Sequence, residues 1–541
     1  MIWRSVSKRY WKQIPPFEKG GLGGIYAMIQ QTQQQGQSSC QGIEKNNGSS
    51  SMLAGKSPLA PLFQRGEFVL WLIALLLLFI SLGGRELWTQ ESRWSNIVLE
   101  MVQSGDFWHP TILGEAYYDK PLLSYWLMIA FSYITDGINL WSLRLPSVVS
   151  GLISIFCVVK LGERWFSKQT GLLAGLLLTT TFYFVFWSRV ASSDMLNVAG
   201  VMLAITWYVY HDSHQTPSFL RQYWQYSIFF IIIALTSLCK GLIGAVLPIL
   251  FILPHLWLTR RWKKHINLAF IFALLPAIII YLIPFMISAS DTQYQNDGLY
   301  LVFRENVERF FNPFDHKGPW YLYFLYVPIY TLPWGLLLPF VIYTLYQRWA
   351  SLSLEIKWLI YASLLWFIFF SLSGSRRSYY VLPLVPPTIL LCAYVIEQYR
   401  PMLKQWINRG IGGFAVVWLL MFGLAMPLYY SEGLFALRTQ VHEKITANAP
   451  SQDWQFVYLG EPLKVPLTLQ NGRLPLFIHD PNQLHLDALS KHHVLVLESK
   501  TRSVWPALVG YEEISEPPVR GKVFFGKKYK PEVMVFIKKD A

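Results

Sequence analysis

Eleven apolar runs dominate the middle of this chain, near residues 67–84, 143–160, 170–188, 195–211, 225–239, 241–258, 267–288, 320–346, 357–373, 379–396 and 411–430. A helix needs about 20 apolar residues to cross the hydrocarbon core of a bilayer. Backbone in lipid must also satisfy its own hydrogen bonds. Runs of this length therefore predict an all-α polytopic membrane domain over residues 67–430. Composition agrees: 14% of the residues are charged, against about 25% in soluble chains, which excludes an ordinary soluble enzyme. The 23 Trp, 30 Tyr and 35 Phe suit a chain with many membrane–water interfaces, where amphipathic rings collect.

The flanks read differently. Residues 1–66 contain QQTQQQGQSS and NNGSSS, low-complexity stretches expected to be a disordered tail without function. Residues 431–541 hold WQFVYLG, RLPLFIHD, HHVLVLES, KVFFGKKY and EVMVFIKK, short strand-like runs between turn residues, with DPNQLHLDALSKHH as a candidate helix. They predict a small soluble α/β domain. The net charge of +14 does not come from this region, which has 14 Lys/Arg and 12 Asp/Glu. The excess sits in the N-terminal tail and in short connections such as KLGERWFSK, TRRWKKH and EQYRPMLKQWINR, the pattern of topology determinants and not of a nucleic-acid patch. It predicts a cytoplasmic N-terminus, with residues 431–541 on the outer side. Cys40, Cys157, Cys239 and Cys392 have no metal-ligand spacing.

The polar residues collect on that outer side. The first outside loop, 84–142, carries seven acidic residues (Glu86, Glu91, Glu100, Asp106, Glu115, Asp119, Asp136) and three basic ones. Within it, QESRWSNIVLEMVQSG reads as an amphipathic helix lying flat at the interface on Trp94, Ile97, Val98, Met101 and Val102. YWLMIAFSYI reads as a second surface helix. Asp194 follows SRVASS, Lys240 separates two apolar runs, and Arg376-Arg377 precede Ser378-Tyr379-Tyr380. A later outside loop, 289–319, adds Arg304, Glu305, Glu308, Arg309, His316 and Lys317. A charge at membrane depth costs at least about 2.5–3.5 kcal/mol, so such residues invite a functional reading, although boundary charges also simply solvate helix ends. Lys, Arg and Tyr bind phosphate, a carboxylate accepts a proton from an attacking hydroxyl, and negative charge stabilises an oxocarbenium-like transition state. No nucleotide-binding loop, zinc motif or serine-hydrolase elbow occurs, so the energy must come from an activated substrate.

The order Q-E-S-R-W-S, S-G-D-F-W and Y-Y-D-K-P-L-L-S-Y-W resembles the first outside loop of polyprenyl-phosphate-sugar-dependent glycosyltransferases. The nearest group is the lipid A aminoarabinose transferases, with protein O-mannosyltransferases as cousins. R-L-P-S, S-S-D-M-L, C-K-G, E-N-V-E-R-F, G-P-W-Y, L-P-W and S-G-S-R-R-S-Y-Y-V-L-P follow in the same order over residues 85–385. The resemblance implies the GT-C fold and an inverting transfer from a polyprenyl (undecaprenyl) phosphate sugar to an acceptor hydroxyl of an envelope lipid or glycan. It implies that Lys120, Tyr117 and Tyr380 meet the donor phosphate, with Lys317 as a further cation and Arg309 in reserve. Arg376 or Arg377 stands where the family has Lys. Asp194 matches the acid after the third span. The family's first-loop Asp is replaced by Gln90, which cannot act as a base; this leaves Glu91, the expected base, or Asp194. The competing role for Glu91 is a helix cap or an ion pair with Arg93. Asp119 and His316 match a pair that can share a metal ion, though no cofactor is obligatory.

Three rivals accompany this reading: a protein O-mannosyltransferase, a transporter or flippase of lipid-linked sugars, and an inactive binder. The absence of an internal repeat and the one-sided polar cluster weigh against the transporter. The expected setting is the inner membrane, with no nucleic-acid partner and a monomer as the simplest state.

Overall fold

The computed structural model describes residues 60–88, 90–118, 120–212, 218–289, 318–430, 434–448, 450, 453–460, 466, 475–515 and 533–539. The chain divides into Met1–Arg65 and Gly66–Ala541, and the features below belong to the second unit. Most of the expected tail lies outside the described residues. Its end does not, because the first helix already starts at Ala60 and runs to Phe79.

Each of the eleven apolar runs falls in helix. Among the described residues, six helices are long and apolar enough to cross a membrane unaided: Leu140–Trp165, Phe219–Lys240, Leu268–Ser288, Leu354–Leu372, Ser378–Tyr399 and Pro401–Tyr430. Two bent pairs raise the number to eight. Lys168–Thr179 meets Phe182–Ser188 at 69°, and Leu322–Tyr330 meets Trp334–Gln347 at 116°. Breaks at membrane depth free backbone groups that lipid cannot satisfy. Here the breaks satisfy each other. The Phe182 N–H donates to the Leu332 carbonyl at 3.0 Å. The Trp334 indole donates to Thr180 Oγ1 at 3.1 Å, and the Trp418 indole to the Thr180 carbonyl at 2.9 Å. The aromatic residues thus do more than mark interfaces. Trp187 and Trp366 are among the most deeply buried side chains, and Trp358 and Trp366 donate to carbonyls inside the bundle.

Small residues set the helix spacing, as expected where van der Waals packing drives association. A Cβ on Gly162 would lie 2.6 Å from the Gly171 Cα, so the Leu140–Trp165 and Lys168–Thr179 helices touch backbone to backbone. A Cβ on Gly200 would collide with the Thr236 hydroxyl, which draws the Ser193–His211 and Phe219–Lys240 helices equally close.

The first outside loop forms the Glu91–Ser104 helix, a two-stranded hairpin (β1, Thr111–Ile112; β2, Glu115–Ala116) and the Leu123–Ser132 helix. Both expected helices are present, but the first does not lie flat with one wet face. Every residue from Glu91 to Met101 except Arg93 is buried, while Val102 of the predicted apolar stripe is exposed. Its serines, Asn96, Glu91 and Glu100 find a protein interior instead of water.

After the last span, the Leu434–Asn448 helix packs Leu437, Val441 and Ile445 against a five-stranded sheet ordered β4-β3-β5-β7-β6. The strands are β3 Gln455–Leu459, β4 Leu476–Ile478, β5 His493–Glu498, β6 Tyr511–Glu513 and β7 Val533–Lys538. β4, β3 and β5 are parallel, while β7 is antiparallel to both β5 and β6. The predicted helix in DPNQLHLDALSKHH is only two short 3-10 turns, Pro481–Gln483 and Leu486–Ala488. The Asp480 side chain accepts from the Asn482 N–H, holding a turn in place of a helix start. The expected strand in KVFFGKKY lies outside the described residues.

Candidate active site

Glu91 sits in the first turn of its helix and is wholly buried. Arg144 grips it with two bonds, Nε to Oε1 at 2.9 Å and Nη2 to Oε2 at 3.0 Å. Arg85 adds an ion pair to Oε2 at 2.8 Å. The backbone N–H groups of Trp88 and Ala191 donate to Oε2 and Oε1, at 2.8 and 2.9 Å. Burial alone would push this carboxyl up, but the Arg144 and Arg85 guanidiniums outweigh it and hold the group at about 2. The local sequence explains the grip. Asn139 caps the Leu140–Trp165 helix with a full capping box, which places Arg144 of R-L-P-S in its second turn, facing Glu91. The remaining arginine donors go to backbone: Arg144 to the carbonyls of Leu82, Arg85 and Glu86, and Arg189 to those of Leu77, Leu78 and Ile80. One carboxylate and the backbone carbonyls around the end of the first helix thus accept the hydrogen bonds of three buried arginines. Arg93 is not the partner of Glu91; it donates to the Tyr117 hydroxyl at 2.9 Å.

Asp194 stands in the first turn of the Ser193–His211 helix, capped by Ser192, and Lys240 in the last turn of the Phe219–Lys240 helix. Each charge complements its helix dipole. The two helices run side by side, and Lys240 Nζ meets Asp194 Oδ1 at 2.5 Å. Among the described residues no hydrogen bond engages Asp194 Oδ2. Lys240 Nζ also lies 5.3 Å from the Tyr380 ring centroid and 6.0 Å from that of Tyr379, with the Arg377 guanidinium 5.7 Å from Tyr379. The Glu91–Ala191 bond anchors the segment just before Asp194, so the buried arginine network and the Asp194–Lys240 ion pair share one piece of backbone.

Lys120 is half-buried just before the Leu123–Ser132 helix. That helix is tied to the Lys240 end of its neighbour, because Ser124 Oγ donates to the Cys239 carbonyl at 2.9 Å. Tyr117 is half-buried against Arg93. Arg376 spends its guanidinium on the carbonyls of Ser371 and Gly318, a bracing role, while Arg377 joins Lys240 in facing Tyr379. Asp119, Arg309, His316 and Lys317 lie outside the described residues. Among the described residues no three His, Cys, Asp or Glu side chains gather as a metal site requires.

An apolar groove of about 720 Å³ opens beside this cluster, lined by Tyr323, Phe324, Leu336, Pro339, Leu364 and Phe367 among others. Its Tyr323 end belongs to the Leu322–Tyr330 helix, which packs on the Ser378–Leu384 turn and joins it through Tyr330 Oη to Ser378 Oγ at 3.1 Å. An apolar groove therefore adjoins the turn that carries Tyr379 and Tyr380. The sequence offered Lys240 only as a charge between apolar runs and offered no role for Arg85, Arg144 or Arg189. The signal for Arg144 was an arginine beside a proline at a span's outer end.

Residues 69–291 match the family model for dolichyl-phosphate-mannose-protein mannosyltransferase. Over 391 residues, covering 70% of this chain and 68% of the relative, the chain is 28% identical to the undecaprenyl phosphate-alpha-4-amino-4-deoxy-L-arabinose arabinosyl transferase of Pseudomonas aeruginosa strain UCBPP-PA14. It is 28% identical over 343 residues to the transferase of the same name from Shewanella sediminis, covering 62% of this chain and 60% of that one. The fold matches the crystal structure of ArnT from Cupriavidus metallidurans bound to undecaprenyl phosphate, with a TM-score of 0.68, 15% identity and coverage of 89% of this chain and 98% of that one. The chain has the GT-C fold that its sequence led us to expect. A multi-helix body with spans long enough to cross a membrane carries a small C-terminal sheet domain, which makes this an integral membrane protein.

Proposed function

We propose that this GT-C chain is an inverting glycosyltransferase whose donor is an undecaprenyl-phosphate-linked sugar and whose acceptor is a hydroxyl of an envelope lipid or glycan. The observation that carries the reading is the Asp194–Lys240 pair packed on Tyr379 and Tyr380 beside a groove suited to a polyprenyl chain. The names of the relatives support the donor class.

In this reading the acceptor oxygen attacks the anomeric carbon and forms the glycosidic bond. The bond from that carbon to the phosphate oxygen breaks with its electron pair, and polyprenyl monophosphate leaves. Asp194 Oδ2 takes the acceptor's proton, while Lys240 holds Oδ1 and so fixes the direction of the carboxylate. Lys120, Tyr117, Arg377 and Tyr380 stabilise the charge developing on the phosphate, with Lys317 or Arg309 adding a cation from the later loop. Arg376 braces that turn. Glu91, expected as the base, becomes a positioning residue: all its acceptor directions face arginines and backbone amides, and a carboxylate held at about 2 is a poor proton acceptor. Asp119 and His316 remain the pair to test for a metal ion.

On this account residues 67–430 are the catalytic membrane domain, the N-terminus is cytoplasmic, and the active site and residues 431–541 face the periplasm. The mannosyltransferase family match keeps one second reading, transfer to a protein hydroxyl. Both are tested by giving membranes containing the wild-type chain a panel of radiolabelled polyprenyl-phosphate sugars. Label entering the lipid or glycan fraction supports the first reading, and label in protein the second. Failure of every donor beside a working control enzyme removes both.

A further inference from the structure

The hairpin before Lys120 is held in an unusual way. Its two turn residues, Leu113 and Gly114, both have positive φ, +56° and +82°. A two-residue hairpin turn of this kind favours Asn-Gly, and a leucine there is strained. Glu100, buried in the Glu91–Ser104 helix, offsets that strain. Its carboxylate accepts from the Leu113 N–H at 2.6 Å, the Gly114 N–H at 3.1 Å and the Thr111 hydroxyl at 2.7 Å. Two successive amides in this geometry form an anion-binding nest, here filled from within the protein. The other side of the turn is gripped too. His479, the residue after edge strand β4 of the C-terminal domain, donates from Nε2 to the Leu113 carbonyl at 3.2 Å. Beyond β2 the chain closes one more rung, Tyr117 N–H to the Pro110 carbonyl at 3.0 Å, and then supplies Tyr117 and Lys120.

We infer that Glu100 is a positioning residue for the donor-phosphate segment, and that the C-terminal domain acts on the same segment through His479. The inference rests on the reading that Tyr117 and Lys120 meet the donor phosphate. Removing the Glu100 charge frees the turn and lets those residues swing away from the phosphate, while Asp194 and Lys240, anchored in other helices, stay in place.

The test uses the purified full-length protein in lipid nanodiscs, with undecaprenyl phosphate as the binding probe. Losing charge-assisted bonds at the turn should weaken binding about tenfold in Glu100→Gln. Adding Leu113→Asn, which supplies the Asn-Gly pair the turn prefers, should restore most of it. Losing one neutral bond in His479→Ala should weaken binding about threefold. Hydrogen–deuterium exchange over residues 111–120 should rise in Glu100→Gln and fall back in the double variant. Wild-type binding by Glu100→Gln overturns the inference, as does a loss that Leu113→Asn does not recover. If the wild type itself binds no undecaprenyl phosphate, the donor reading fails; unchanged exchange over 111–120 in Glu100→Gln then overturns the clamp as well.

Discussion

Replacing Glu91 with glutamine separates two accounts of this site. The carboxylate accepts five bonds, three from arginines and two from backbone amides. Gln keeps one oxygen and turns the other into an NH2 group that faces donors. Arg85 and Arg144, each under 10% exposed, then lose their only carboxylate partner among the described residues. Breaking a buried pair in this way costs about 3–5 kcal/mol, a large share of a typical 5–15 kcal/mol stability. Glu91→Gln should therefore unfold well below the wild type in nanodiscs, and whatever remains folded should keep measurable turnover. The pH dependence has a definite sign. The folded carboxyl lies at about 2, below its ordinary value of 4.5. Its stabilisation is complete above that ordinary value and is lost as the pH falls through about 2. The stability gap between wild type and variant should thus be flat at neutral pH and shrink only in that acid window. A Glu91→Gln protein with wild-type unfolding temperature and no turnover would refute this reasoning and restore Glu91 as the base.

Other expectations follow from the same geometry. Lys240→Ala, which unfixes Asp194, should lower kcat by about two orders of magnitude, and Lys240→Arg should not restore it, since a guanidinium is a different donor; steady-state turnover checks both. Gly200→Val should push the Ser193–His211 and Phe219–Lys240 helices apart at Thr236, costing about 1–3 kcal/mol and most of the activity, as thermal unfolding and turnover would show. Ser363→Trp, placed in the apolar groove, should raise KM for a long-chain polyprenyl donor far more than for a short-chain analogue.

The membrane fold was legible because its signal is coarse: a run of apolar residues long enough to cross lipid reads as helix whatever its neighbours. What the pattern hid was where helices break. Thr180-Thr181 and Leu332-Pro333 look like mild interruptions, and only their mutual hydrogen bonding makes the breaks tolerable. The same holds for the site. Asp194 and Tyr380 stand out in the sequence by their place at span ends, but Lys240 gains meaning only from a partner 46 positions away. The burial of Glu91 was not legible, because a loop carboxylate in a motif looks exposed. The arginines that bury it come from Arg85 and from R-L-P-S, whose direction depends on the cap at Asn139. The Leu434–Asn448 helix escaped notice for a simpler reason: its buried stripe of Leu437, Val441 and Ile445 is thin and follows directly on an apolar span.

The most direct test of the central claim compares wild type with Asp194→Asn in nanodiscs supplied with a sugar-labelled undecaprenyl phosphate and acceptor lipid. Release of undecaprenyl monophosphate and transfer of label are followed together, with undecaprenyl phosphate binding measured on the same samples. The account predicts that wild type couples release to transfer, and that Asp194→Asn binds the lipid phosphate but does neither. Equal transfer by Asp194→Asn would contradict the assignment of the base, and tight lipid binding by wild type with no transfer from any donor would contradict the enzyme itself.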